Sequence, residues 1–157
     1  MVAEPLLIEF SEEHRASVVT RMSSMAALEQ GWINFTPGLD MDFPPPQRSV
    51  LASIFGARGP DVPLATWKPA GKADREPSTV GIHHSQGPKV AGRLSEAGLA
   101  IPEGWRMLQD HPKHGLVCAV PPDADLDTVL DWLLRATTSL CRFPLTGEWR
   151  ALCYRAI

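Results

Sequence analysis

The side chains best suited to chemistry at neutral pH stand in two short stretches: His83 and His84 in TVGIHHSQGPK, and Asp110, His111 and His114 in QDHPKHGLV. Imidazole titrates closest to neutrality, and with carboxylate it is a ligand for zinc, iron, nickel or copper. A divalent-metal site would draw on His83, His111 and His114. A site for a small anionic ligand would draw on His83, His84, Gln86, Lys89, Asp110, His111 and His114, around a helix start near Gly87-Pro88 whose free N–H groups favour phosphate or carboxylate. Ser85, His84 and Asp110 could be arranged as a hydrolase triad, but no G-x-S-x-G elbow or other positioned nucleophile accompanies them. The H-x-x-H of 111–114 lies in a turn and lacks the general-base carboxylate of the helical H-E-x-x-H signature, and SQGPK has no glycine-rich phosphate cradle. The plainest reading is turn chemistry, in which residues 110–115 join two apolar runs through local hydrogen bonds and permissive dihedrals. Whether the chain is an enzyme is left open by these motifs.

The elements carrying these residues decide whether they meet. STVGIHH (78–84) alternates as a strand, and GPKVAGRLSEAG (87–98) reads as a helix with Val90, Ala91 and Leu94 inward. WRMLQDH (105–111) and GLVCAVP (115–121) form a hairpin across the PKH turn. Asp123 or Asp125 caps a helix with Leu126, Val129, Leu130, Leu133, Leu134 and Leu140 on its apolar side, and EWRALCYRAI (148–157) is a last strand. The order β-α-β-β-α-β is that of a ferredoxin-like, four-stranded antiparallel sheet with two helices on one face. In that unit the first two strands run parallel with the third between them, so their C-terminal ends and the five chemical residues share one edge. Adjacent residues of a strand point to opposite faces, so at most three of the five converge.

Before this unit, PLLIEF is a short strand or extended entry. Ser11, followed by two glutamates, starts a helix that runs to about Gln30 and stops at Gly31. Residues 31–48, with Pro37-Gly38 and three consecutive prolines, read as an ordered loop; PQRSVLASIFG reads as a short helix, and PLATW as a strand. The expectation is one α+β domain over 1–157: an N-terminal helical and irregular extension over 1–77, and the ferredoxin-like unit over 78–157.

At 157 residues the chain is long enough for one domain with a real core. Its net charge of −3, with no stripe of Lys and Arg, argues against nucleic acid. The longest apolar runs are far too short to cross a bilayer, and the N-terminus lacks a secretory h-region, so the expectation is a cytoplasmic protein with no membrane partner. Three cysteines in apolar segments, without a C-x-x-C pair, read as small buried hydrophobes. Of the five tryptophans, Trp132 falls near the margin of its helix's apolar stripe. Exposed there, it would centre a protein interface; otherwise it belongs to the core.

GWINFTPGLD, TVGIHHSQGPK, QDHPKHGLV and the closing LTGEWRAL resemble segments of a group of uncharacterised actinobacterial proteins, over most of the chain. The resemblance implies a bacterial cytoplasmic protein and brings no activity, ligand or site residue with it. The leading expectation is a non-catalytic small-ligand-binding or protein-interaction domain, with homo-oligomerisation as one form of interaction. The alternative is a small enzyme or divalent-metal protein working from the His83, His84, Asp110, His111 and His114 edge.

Overall fold

A computed structural model describes residues 4–42, 59–71 and 76–155. Chain order is β1 (Leu6–Ser11), α1 (Ala16–Leu28), β2 (Trp32–Leu39), β3 (Leu64–Lys68), β4 (Ser78–His83), α2 (Val90–Glu96), β5 (Arg106–His111), β6 (Gly115–Val120), α3 (Leu126–Ser139) and β7 (Leu145–Tyr154). The strands form one seven-stranded sheet in the order β1-β7-β2-β3-β4-β6-β5, antiparallel at every neighbouring pair.

This overturns the ferredoxin-like expectation. In a four-stranded β-α-β-β-α-β sheet β7 would lie beside β4, but β2 and β3 stand between them and β1 pairs on the far side of β7. The first 77 residues are therefore no helical extension; three of their segments are strands of the sheet itself. β2 is the decisive difference, because it was expected to be loop. Its pattern is a strand's: Ile33 and Phe35 turn into the core, while Asn34 and Thr36 turn away. Pro37 is tolerated because β3 pairs only with Ile33–Phe35, so its missing N–H costs nothing on that side. Ser11 closes β1 rather than capping a helix, and α1 begins four residues later behind Arg15. The helix expected within PQRSVLASIFG lies outside the described residues.

Alternate strand residues build one core. Phe10, Ile33, Phe35, Ala65, Trp67, Val80, Ile82, Leu116, Cys118, Trp149, Ala151 and Cys153 face inward, against Val18, Met22 and Met25 of α1, Val90 and Leu94 of α2, and the apolar side of α3. All three helices of the described residues thus cover one face, and the other is open. Trp132 belongs to this core: it is 7% exposed, its indole N–H donates to the Leu99 and Ala100 carbonyls, and it meets Trp105 edge to face. Asp125 caps α3 by accepting from the Thr128 N–H. Arg15 ties α1 to α3: its guanidinium donates two bonds to Asp127, at 2.8 and 3.0 Å, and one to Asp131. The pairing holds the Asp127 carboxyl below the ordinary carboxylate range.

Candidate functional site

β4 and β5 run parallel on either side of β6, so the chemical residues reach one end of the sheet. The pleat then divides them. Asp110 lies opposite Leu116 on the helix side, while His111 lies opposite Gly115 on the open side. His83 stands exposed on the open side, and His84 is fully buried. Gly115 occupies the row between His83 and His111. At its φ of +87° a Cβ would collide with the Ile82 carbonyl oxygen and stand 3.0 Å from the His83 ring, so glycine is required there.

Asp110 is a helix cap supplied by a neighbouring strand. One carboxylate oxygen accepts from the Val90 N–H at 3.2 Å and the other from the Ala91 N–H at 3.0 Å. The amino end of α2, where an external anion was expected, is thus filled by the chain's own carboxylate. Lys89 precedes it in a left-handed conformation, with no side-chain cap of its own.

The histidines are turn formers. His111 Nδ1 accepts from the Lys113 N–H at 3.0 Å and the His114 N–H at 3.1 Å, and the two rings stack with centroids 4.5 Å apart. An acceptor Nδ1 leaves the proton of the neutral ring on Nε2, opposite to the tautomer that a metal at Nε2 requires. His84 repeats the device, its Nδ1 accepting from the Gln86 N–H. Its Nε2, the Ser85 hydroxyl and the Gln86 amide nitrogen are buried without a hydrogen-bond partner. Desolvation pushes the His84 pKa down, against the opposing pull of Asp110. Gly59 closes the turn, its N–H donating to the Pro112 carbonyl. Among the described residues no group of three His, Cys, Asp or Glu side chains is placed to hold a metal ion.

Two features lay outside the sequence expectations. The first is a cleft of about 540 Å³ at the β1 and β7 end, where the Ser11 hydroxyl lies 3.2 Å from His14 Nδ1 beside Glu12, Glu13 and Glu148. Ser11-x-x-His14 was legible as a pair but was absorbed into a supposed helix start. The second is the pair of sheet edges. Leu6 and Leu7 on β1, and Met107 and Leu108 on β5, are between 46% and 50% exposed. They make four of the six exposed large hydrophobics among the described residues, the others being Leu28 and Met41. No protein-family model, curated protein or solved structure matches this chain. No helix of the described residues is long and apolar enough to cross a membrane.

Proposed function

We propose that the chain is a non-catalytic protein-interaction domain that takes an extended partner segment at the edge of its sheet. One observation carries the reading: exposed aliphatic side chains concentrate on the two outermost strands, where backbone N–H and C=O groups face outward without a further strand. Edges are ordinarily protected by charge, proline or a bulge, because an unpaired edge is a template for a new strand. Strand addition draws affinity from main-chain hydrogen bonds and selectivity from alternate side chains, so it needs no deep cavity. The unpaired state of all three cysteines supports a reducing, bacterial cytoplasmic setting. The test is selection of extended peptides from a random displayed library, followed by amide exchange on the bound chain. Protection of β1 or β5 amides is the expected result; binders that leave both edges unprotected would refute it.

Small-ligand capture is a second reading, favoured by the Ser11–His14 cleft. Three carboxylates on its wall suit a cationic ligand better than an anionic one. Calorimetric titration with polyamines tests it, with Glu148→Gln expected to weaken any binding seen.

A further inference from the structure

We infer that the partner taken at the β1 edge is a second copy of the same chain, docked antiparallel through β1 so that two seven-stranded sheets become one. This rests on the edge-docking reading and names its partner.

The two edges are not equivalent. β5 carries a register shift between Met107 and Gln109, which bends the strand and interrupts the row of groups a new strand would meet. β1 pairs with β7 through six consecutive residues without irregularity, from Leu6 opposite Cys153 to Ser11 opposite Glu148. Its outer side is regular to the same extent. Among the described residues only His14 bridges to it, at its last position.

The β1 sequence also complements itself. Two copies of one strand pair antiparallel about a two-fold axis normal to the sheet, and residues that oppose each other must then lie on the same side. Leu7 and Glu9 lie on the open side, opposite Leu152 and Arg150, while Leu6, Ile8 and Phe10 lie on the helix side. The axis must therefore pass through a residue position. Through Leu7, it sets Leu7 against the partner's Leu7, and Leu6 against the partner's Ile8, so every central pair is aliphatic. Through Ile8, it sets Leu7 against the partner's Glu9 on both sides of the axis, which strands two carboxylates beside leucines. The Leu7 register is preferred on that ground. Glu9 is then displaced from the centre, its carboxylate 3.7 Å from the Arg150 guanidinium of its own sheet.

Closure follows from the same asymmetry. An isologous contact uses both β1 edges and leaves only the two bulged β5 edges outside, so assembly stops at two chains.

Sedimentation of the 157-residue chain from low micromolar to millimolar concentration tests this. A concentration-dependent dimer is expected. Leu7→Lys, which opposes two like charges across the axis, is expected to weaken it by about tenfold or more, and Met107→Lys on the other edge to leave it unchanged. Both positions are about half exposed, so neither variant removes core packing. A separate variant, Leu7→Cys, is expected to form a cross-linked dimer under mild oxidation, because directly opposed residues bring their Cβ atoms within disulfide reach. Met107→Cys is expected not to. A chain monomeric throughout, a dimer indifferent to Leu7→Lys, or failure of Leu7→Cys to cross-link would overturn the inference. A monomer whose β1 amides are still protected by a selected peptide loses self-pairing but keeps edge docking; one whose edges no peptide protects loses both.

Discussion

Asp110→Ala is expected to destabilise the chain in the absence of any ligand. The carboxylate accepts from two backbone N–H groups, Val90 at 3.2 Å and Ala91 at 3.0 Å, at the start of a seven-residue helix that has no cap of its own. So short a helix does not persist in water by itself, and Val90 and Leu94, both essentially unexposed, depend on it for their place in the core. Removing a capping oxygen costs about 0.5–2 kcal/mol, and loss of the negative charge at the helix start adds about 0.3–1 kcal/mol. Asp110 is half-buried, so water recovers part of the loss, and the sum settles near about 2 kcal/mol. In a chain of this length that lowers the melting temperature by about 4–8 °C. Asp110→Asn keeps an acceptor oxygen and is expected to show about half the effect. Denaturant and thermal unfolding of the three proteins measure the difference. If Asp110→Ala unfolds within about 0.5 kcal/mol of the parent, the carboxylate is not holding α2 and is free for a ligand after all.

Two further outcomes follow from burial at the same end of the sheet and in its core. Burial pushes the His84 pKa below its ordinary 6.5, so the unfolded chain takes up a proton that the native chain resists; stability is whole above that pH and is lost as the pH falls below it. His84→Gln is expected to flatten the acid side of the stability profile, and an unchanged slope would show that the ring is already protonated or solvated in the native state. Burial raises the Cys118 thiol to about 11 and shifts Cys153 in the same direction, so a disulfide exchange reagent is expected to modify half-buried Cys141 first and to find Cys141→Ser inert until it unfolds. Rapid native labelling of Cys118 would mean that the helix layer opens readily.

The second half of the chain was legible because each element there carries its own punctuation. Pro88 and Gly98 bracket α2, Asp125 starts α3, and a three-residue turn joins β5 to β6. The first half misled for two physical reasons. Pro37-Gly38 was weighed as a chain reversal, although a proline at the end of a strand's pairing loses no ladder bond, so the alternation through Ile33 and Phe35 outranked it. Ser11, Glu12 and Glu13 look like a helix start, but the hydroxyl is engaged by His14 and the helix waits for Arg15, whose guanidinium reaches Asp127 and Asp131, more than a hundred residues away in the chain. No local pattern announces a partner at that separation. At the rim, the division of His83 from His84 and of Asp110 from His111 follows from the pleat alone. That Asp110 would serve α2, and that both His84 and His111 would spend Nδ1 on backbone N–H groups, depended on coordinates.

A sheet covered on one face leaves its ends, its open face and its edges as places to meet another molecule. The histidine end is largely committed to the fold: His111 and His84 shape their turns, Asp110 caps α2, and Gly59 packs over the turn between β5 and β6. The open face alternates charged and half-buried residues along its strands, with Trp32 stacked on Tyr154 at 5.0 Å, as a solvated antiparallel face does. The edges depart from the rule. A strand that only terminates a sheet is expected to carry a charge or a bulge near its middle, as β5 does with its shift at Leu108. β1 instead places three consecutive aliphatic residues, Leu6, Leu7 and Ile8, on a regular edge. Chain-to-chain aggregation would penalise that arrangement unless a specific strand covers it. Pairing through Leu7 supplies such a strand and exhausts the regular edge in a single step.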